Sequence, residues 1–284
     1  MSKLSNYINT HYRDFMPHSL MFGLKELKAD LITMPHYSRR DMFTHVAIET
    51  TSICDRVCSY CPHSDPELRS QRPQKEMEED LFRKIIDELA LMGYRDKLQL
   101  HHYGEPLLDP HLKRRVRYAR QKLPEVYLHF GSNGDHLTPE RVEGLVQAGI
   151  DSILVTNHDK GSNLPPNLAK LRQHLIDNPD MADHVKIRLY LNRWFTRGGL
   201  VQIPKESRLE KPYCAQGQHV LTINVDGDVV ICSNDYLSEV RLGNIIEQNI
   251  MEIWDSKRYR KLRADIRARK FTEDICQRCI SLAP

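Results

Sequence analysis

The chain has 284 residues and is nearly balanced in charge, with 41 lysines and arginines against 38 aspartates and glutamates. Its composition, with 40% hydrophobic and 28% charged residues, is typical of a globular protein that buries a sizeable core. No run of about eighteen apolar residues occurs, which argues against a transmembrane helix, and the small net charge indicates no partner by itself. The first residues, MSKLSNYINTHYRDF, lack the apolar core of an export signal, so we expect a cytoplasmic protein without a membrane partner.

The seven cysteines fall into two groups. The first group follows a short apolar stretch with the spacing C-x3-C-x2-C and consists of Cys54, Cys58 and Cys61. The second group lies in the last third of the chain and consists of Cys214, Cys232, Cys276 and Cys279. An odd number of cysteines cannot all form disulfides, and thiols stay reduced in a cytoplasmic protein. The grouping therefore predicts two metal centres.

Two kinds of metal centre fit these thiols. Closely spaced cysteines are typical of iron–sulfur clusters, and three ligands on a four-iron cluster leave one iron open to bind another group. The alternative is zinc, held by the first group together with His63 or by the four late cysteines.

Apolar stretches alternate with helical patterns along the middle of the chain, which predicts βαβ units and a parallel sheet. The predicted strands are 45–49, 97–103, 126–130, 150–156 and 185–192, and the predicted helices are 78–92, 110–122, 139–148 and 166–176. Polar motifs follow the strands at their carboxyl ends, where the sites of parallel sheets and barrels lie. We therefore expect four segments to converge there: the cysteine loop, Gly104-Glu105-Pro106, Ser132-Asn133-Gly134 and Asn192.

Residues 45–192 resemble the radical SAM superfamily. The resemblance rests on the cysteine spacing with Tyr60 before its last cysteine, followed in order by YGEPLLDP and GSNG. It implies a partial (β/α) barrel of five or six strands, with the sixth strand missing or hidden in 199–204. It implies a [4Fe–4S] cluster on Cys54, Cys58 and Cys61 that binds S-adenosylmethionine and cleaves it to a 5′-deoxyadenosyl radical. The residues implied to position this cofactor are Tyr60, Gly104, Glu105, Pro106, Ser132, Asn133 and Asn192.

The last third carries a hairpin signal, because Asp226-Gly227 separates two apolar runs. Cysteines flank this hairpin, and LGNIIEQNIMEIW precedes a final C-x2-C. This pattern resembles the SPASM/twitch domain of radical SAM enzymes, and four cysteines imply its short form with one auxiliary [4Fe–4S] cluster. The predicted α/β fold thus has an N-terminal helical extension (1–44), a radical SAM partial barrel (45–205) and a small α+β twitch domain (206–284).

The three-plus-four cysteine layout resembles that of the radical SAM dehydrogenases that oxidise 2-deoxy-scyllo-inosamine. The resemblance implies that a substrate radical gives an electron to the auxiliary cluster, so that an alcohol of a carbohydrate or aminocyclitol is oxidised. All seven cysteines are assigned as ligands, so none is left to return a hydrogen atom in an epimerisation. Two alternatives stay open: a SPASM-type enzyme that modifies a small peptide, and a non-enzymatic metal-binding protein.

Substrate contacts and partners have weaker sequence signals. His102 lies near the end of the second predicted strand and Arg193 follows the fifth, so both are candidate catalytic residues. The basic runs 113–122 and 257–270 are typical of solvated helix faces, and docking of an acidic flavodoxin- or ferredoxin-type reductant is a hypothesis for them. Nucleic-acid binding is not expected, because these runs contain few stacking aromatics.

Overall fold

The computed structural model describes residues 34–158, 164–188, 195–203, 214 and 216–280. Within these ranges eight strands form one sheet in the order β5-β4-β3-β2-β1-β6-β7-β8. The strands are β1 (His45–Ile48), β2 (Lys97–Gln99), β3 (Tyr127–Ser132), β4 (Ser152–Thr156), β5 (Val185–Arg188), β6 (Val220–Ile223), β7 (Asp228–Val230) and β8 (Arg241–Asn244).

Helices connect the strands on one side of the sheet and continue into the last third of the chain. They are α1 (Met34–Tyr37), α2 (Pro66–Ser70), α3 (Glu79–Leu91), α4 (Leu112–Lys122), α5 (Pro139–Ala148), α6 (Pro166–Asp177), α7 (Pro179–Ala182), α8 (Gln216–His219), α9 (Ile250–Trp254), α10 (Lys257–Arg267) and α11 (Asp274–Ile280). Short 3₁₀ turns follow the cysteine loop at Pro62–Ser64 and the second strand at Pro106–Leu108. None of the described helices is long and apolar enough to cross a membrane.

The alternating pattern predicted a parallel α/β sheet, and the structure confirms it. β1 pairs in parallel with β2 on one side, and parallel pairing continues through β3 and β4 to β5. The predicted helix 139–148 is present as α5, and Thr138 caps its first turn, where its side chain accepts a hydrogen bond from the Arg141 N–H at 3.3 Å. Gly149 ends the helix with φ of +103°, a conformation that favours glycine.

The sixth parallel strand does not lie where the sequence suggested. Residues 195–203 contain no strand and instead turn back on themselves, with both the Gly199 and Val201 N–H groups donating to the Thr196 carbonyl at 3.0 Å. The sixth strand is β6, which pairs in parallel with β1. The prediction of a hidden strand in 199–204 is therefore wrong for residues 199–203, which the structure describes. The first strand of the hairpin in the last third of the chain takes that place in the sheet.

The predicted hairpin is confirmed. β6 and β7 pair antiparallel, with Thr222 opposite Val230, and Gly227 takes the turn with φ of +85°. The buried Asn224 fixes the turn, because its Oδ1 accepts from the Asp226 N–H at 3.0 Å and the Asp228 N–H at 2.9 Å. The turn thus holds β7 next to β6 and extends the sheet beyond its parallel part.

The segment that leads into the barrel is fixed to the last third of the chain. Arg39 forms a bidentate ion pair with Asp255, with N–O distances of 2.8 and 2.7 Å. Asp41 pairs with the buried Arg263, and its carbonyl accepts from the Trp254 indole N–H at 3.0 Å. Residues 1–33 of the predicted N-terminal helical extension (1–44) lie outside the described residues.

Candidate active site

The cysteine loop begins where β1 ends and is closed by local hydrogen bonds. The Cys61 N–H donates to the Cys58 carbonyl at 2.9 Å, and the His63 Nε2 lies 3.0 Å from the Cys54 carbonyl. Burial raises the pKa of the Cys54 thiol to about 12, and the nearby Glu105 and Cys61 add to the rise. Burial likewise raises the pKa of Cys58, and Cys61 adds to that rise. The loop therefore brings the three thiols of the first group into one another's electrostatic range.

The four late thiols form a second group. Burial raises the pKa of Cys232, and Cys214 and Cys279 add to the rise. Burial also raises the pKa of Cys276 to about 12, with the same two neighbours adding to it. Thiolates crowded in this way are stabilised by a cationic metal centre, because metal binding favours the deprotonated sulfur.

In number and type of donor the two sets match iron–sulfur clusters, the first with three sulfurs and the second with four. Within the described ranges, no group of three or more histidine, cysteine, aspartate or glutamate side chains is arranged to hold a metal ion. The assignment of particular cysteines to particular clusters thus stays a prediction.

The Gly104-Glu105-Pro106 and Ser132-Asn133 motifs meet at the carboxyl edge of the sheet, as predicted. The buried Glu105 carboxylate accepts from the Ser132 hydroxyl and the Asn133 N–H, each at 2.8 Å, and from the Leu107 N–H at 3.0 Å. Burial raises the pKa of Glu105, and the Asn133 and Leu107 N–H groups counter part of that rise. Glu105 therefore orders both loops at once.

The cysteine loop is attached to the same region by ion pairs. Asp55 accepts from the Asn133 side-chain amide at 3.3 Å and lies 2.6 Å from His136 Nε2, while Arg56 pairs with Asp135. The three predicted segments, namely the cysteine loop, 104–106 and 132–134, thus converge. Asn192, the fourth predicted segment, lies outside the described residues.

A hydrogen bond between Tyr60 and His158 connects the cysteine loop to the segment after β4. Tyr60 is buried immediately before Cys61, and its hydroxyl hydrogen bonds to His158 Nδ1, just beyond the end of β4. The predicted role of Tyr60 beside S-adenosylmethionine stays a prediction.

At Gly104 the backbone of the loop after β2 lies in close contact with the backbone that leads into the cysteine loop. A Cβ at this position would lie 2.0 Å from the Thr51 carbonyl oxygen and 3.0 Å from that of Ile53. The Glu105 N–H also donates to the Ile53 carbonyl at 2.8 Å. This contact explains why the second strand ends at Gln99 and not at Tyr103 as predicted, since the chain must leave the sheet to reach the cysteine loop.

We therefore expect Gly104→Ala to displace the cysteine loop. Overpacking at a rigid contact costs about 1–3 kcal/mol or more, and here both atoms in conflict belong to the backbone. The variant should lose most of its bound iron after anaerobic purification and unfold at lower urea concentration. Gly144→Ala is the matched control, because its Cβ would meet only the flexible end of Lys113 at 3.0 Å. Normal iron content in Gly104→Ala would contradict the close contact.

A buried ion pair that the sequence did not reveal lies under the site. Glu49, at the end of β1, is fully buried and lies 2.5 Å from Arg72. Its carboxylate also accepts from the backbone N–H groups of Tyr103 and Val225, each at 3.2 Å. Burial alone would raise the pKa of Glu49, but Arg72 and His102 hold it below its usual value. Glu49 thus links the segment before the cysteine loop to the segment after β2 and to the β6–β7 hairpin.

Two aromatic rings lie beside the Glu49–Arg72 ion pair. The Arg72 guanidinium lies 4.6 Å from the Tyr236 ring centroid and 5.5 Å from that of Tyr103. The two tyrosines meet edge to face at 4.7 Å. Burial raises the pKa of Tyr103; Arg197 counters this, while Cys61 and Cys232 both add to the rise. Tyr103 is therefore within electrostatic range of both groups of thiols.

The candidate catalytic residues have different positions. His102 is buried with both ring nitrogens facing groups of the protein, Nε2 at 3.2 Å from the Ser233 carbonyl and Nδ1 at 3.7 Å from Glu49. Burial lowers its pKa to about 4, so the ring is neutral at pH 7. Arg193 lies outside the described residues. Arg197, which follows the same predicted strand, places its guanidinium 5.8 Å from the Tyr103 ring.

Family comparisons agree with this geometry. The radical SAM superfamily model matches residues 48–158, and the SPASM model, described as an iron-sulfur cluster-binding domain, matches residues 214–280. The first match covers the cysteine loop, both converging motifs and β2 to β4, and the second covers all four late cysteines. Residues 48–158 thus match a radical SAM domain, and residues 214–280 match a SPASM domain.

Individual proteins are similar to this chain over different lengths. The chain is 28% identical over 244 residues to the S-adenosyl-L-methionine-dependent 2-deoxy-scyllo-inosamine dehydrogenase of Niallia circulans, which covers 84% of this chain and 93% of that enzyme. It is similar to the crystal structure of BtrN in complex with AdoMet and 2-DOIA, with a TM-score of 0.73, 26% identity, and coverage of 85% of this chain and 94% of that one. A PqqA peptide cyclase of Bradyrhizobium diazoefficiens is 28% identical over 163 residues, 56% of this chain and 41% of the cyclase.

Proposed function

We propose that this protein is a radical SAM dehydrogenase that oxidises a secondary alcohol of an aminocyclitol or a related carbohydrate. One observation carries the proposal: the buried Tyr103 side chain lies within electrostatic range of both Cys61 and Cys232, so it borders both groups of thiols. A substrate bound there is next to the site where a radical forms and next to an electron acceptor. The similarity to an aminocyclitol dehydrogenase over nearly the full length of both chains supports the choice of substrate.

The proposed oxidation needs one electron acceptor in addition to the radical. When bound, S-adenosylmethionine and the two clusters supply a 5′-deoxyadenosyl radical and a one-electron acceptor. The substrate carbon that bears the hydroxyl would lose a hydrogen atom to that radical, its hydroxyl would release a proton to solvent, and the remaining electron would pass to the cluster that the second group of thiols would hold. The alcohol becomes a ketone, and the net change in the substrate is a two-electron oxidation.

The chain's own residues bind, orient and exclude water. Cys54, Cys58 and Cys61 would hold the first cluster, while Cys214, Cys232, Cys276 and Cys279 would hold the second. Segments 104–106 and 132–133, with Tyr60 and Asn192, would contact S-adenosylmethionine. The buried rings of Tyr103 and Tyr236 exclude water between the two centres, which protects a radical from side reactions.

Arg197 is the cation that we assign to the substrate side. Its Nε–H is buried without a hydrogen-bond partner among the described residues, and its guanidinium faces Tyr103. A substrate hydroxyl or carbonyl oxygen can accept from such a donor. Cation and aromatic ring together form a wall that suits a polar ring with hydroxyl groups.

The proposal also includes the cellular location, the electron donor and the domain boundary. We propose that the enzyme works in the cytoplasm, that a flavodoxin- or ferredoxin-type protein supplies the first electron, and that the chain divides near residue 205 into barrel and twitch domains. The continuous sheet from β5 to β8 supports close coupling of these domains.

Deuterium transfer tests the proposal. Reduced protein is incubated anaerobically with S-adenosylmethionine and a panel of aminocyclitols and sugars that carry deuterium on the hydroxyl-bearing carbons. We expect one member of the panel to yield deuterated 5′-deoxyadenosine and a ketone in equal amounts. A short peptide that transfers deuterium while no cyclitol or sugar does so would overturn the proposal in favour of peptide modification.

A further inference from the structure

Asn234 contacts two thiols of the second group. It lies in the tight turn after Cys232, which is closed by the Asp235 N–H donating to the Cys232 carbonyl at 3.1 Å. Its backbone N–H donates to the Cys232 sulfur at 3.4 Å, and its side-chain Nδ2 donates to the Cys279 sulfur at 3.7 Å. Asn234 is only 4% exposed, so neither donor has water as an alternative partner. The buried amide therefore directs its hydrogens at sulfur.

The other end of the same amide faces the barrel. The Asn234 Oδ1 accepts from Arg197 Nη1 at 3.4 Å. Arg197 comes from the turn that follows the fifth strand and has a φ of +51°, which is unusual for a residue with a side chain. Because strain of this kind persists only where surrounding contacts fix it, the position of the guanidinium is determined by its neighbours. One side chain thus links a cation of the barrel to a cysteine of the SPASM domain.

Neighbouring contacts hold this loop in place on both sides. The Ser233 carbonyl lies 3.2 Å from His102 Nε2, and the Ser233 hydroxyl donates to Gln216 at 3.3 Å. Arg278, between the last two cysteines, donates from Nε to the Gly198 carbonyl at 2.8 Å and pairs with Glu239. The Arg197–Asn234–Cys279 contact is therefore enclosed by fixed groups.

The physical effect of such donors on a cluster has a definite sign. Reduction adds negative charge to the sulfurs, and hydrogen bonds to sulfur stabilise that charge, so they raise the reduction potential. A cation that hydrogen bonds to the amide oxygen polarises the amide and strengthens its N–H donor. Both contacts of the Asn234 side chain consequently favour the reduced cluster.

We propose that Asn234 is a tuning residue that raises the reduction potential of the auxiliary cluster and transmits the charge of Arg197 to it. The inference rests on the proposed function in that Cys214, Cys232, Cys276 and Cys279 hold that cluster. It adds a specific role: the residue makes the cluster a better acceptor for the electron that leaves the substrate. A group bound to Arg197 would alter the potential through the same amide.

The test isolates the auxiliary cluster. In a Cys54→Ala/Cys58→Ala/Cys61→Ala background, the full chain retains only the second group of cysteines as cluster ligands. The reduced fraction is measured by electron paramagnetic resonance at a series of fixed potentials, before and after Asn234→Leu, which keeps the volume and removes the side-chain donor. At a fixed potential we expect the ratio of reduced to oxidised cluster to fall about tenfold, equivalent to about 59 mV for one electron.

Controls separate this effect from a general disturbance of the loop. Ser233→Ala, in the same turn but with its hydroxyl on Gln216, should leave the ratio unchanged. Arg197→Leu should lower the ratio, and its effect should be smaller when Asn234→Leu is already present, because the amide transmits part of the charge. If the effects of Arg197→Leu and Asn234→Leu on the reduction potential are fully additive, the amide does not transmit the charge of Arg197, and this part of the proposal is wrong.

The two proposals fail in different ways. If the background protein contains about four irons and Asn234→Leu has the same midpoint as its parent, the tuning role is wrong while the auxiliary cluster stands. If the background protein binds no iron although it is folded, the auxiliary cluster itself is absent, and the proposed function fails together with the inference.

Discussion

Cys58→Ala should abolish cleavage of S-adenosylmethionine. We expect 5′-deoxyadenosine formation to fall on the order of a thousandfold, because a cluster with two protein ligands cannot keep the arrangement in which one iron is open to the cofactor. The measurement is the rate of 5′-deoxyadenosine release under dithionite, normalised to protein. Circular dichroism checks folding, which we expect to be retained because Cys58 lies in a loop.

Cys232→Ala is the matched variant in the other group of thiols. It removes a proposed ligand of the second cluster, so 5′-deoxyadenosine should still form while the amount of ketone falls far below it. The contrast between the two alanine variants separates radical formation from electron acceptance. Undiminished 5′-deoxyadenosine in Cys58→Ala, or equal amounts of both products in Cys232→Ala, would contradict the assignment of the two groups.

Arg72→Met should destabilise the fold by about 3–5 kcal/mol, because it leaves the fully buried Glu49 carboxylate without its cation. The guanidinium also packs on the Tyr236 and Tyr103 rings, so its loss loosens the contact between barrel and hairpin. The measurement is the free energy of unfolding in urea. Methionine keeps the apolar inner part of the side chain, so the change reports the guanidinium group: its charge, its hydrogen bonds and its contacts with the two rings.

Two comparisons sharpen that result. Arg69→Met, three residues earlier on an exposed position of α2, should change stability by less than about 0.5 kcal/mol. Glu49→Gln combined with Arg72→Met should be less destabilised than the sum of the single variants, because no unpaired charge is then buried. A loss below about 1 kcal/mol in Arg72→Met would show that the ion pair does not hold the two parts together.

The sequence predicted the parts of the site that depend on local spacing. The cysteine loop, the Glu105 turn and the Ser132-Asn133 segment each follow a strand, and parallel strands bring their carboxyl ends to one edge. Asp226-Gly227 similarly predicted its hairpin, because the turn needs only residues adjacent in the chain. These features were predictable because short-range chemistry determines them.

Long-range contacts were not predictable in the same way. Arg72 lies in a polar stretch without periodicity, and nothing near it in the chain indicates Glu49, 23 positions earlier, as its partner. The same is true of Asn234, whose contacts to Arg197 and Cys279 span 37 and 45 positions. The pairing of β6 with β1 also joins distant segments, which explains the wrong location predicted for the sixth parallel strand.

The most direct test of the account is the metal content of protein purified without oxygen. Two four-iron clusters require about eight irons per chain and no zinc. That result would support an oxidation in which Cys214, Cys232, Cys276 and Cys279 hold the electron acceptor. About four irons together with one zinc would contradict it, because zinc has no redox chemistry and could not accept the electron that an alcohol oxidation releases.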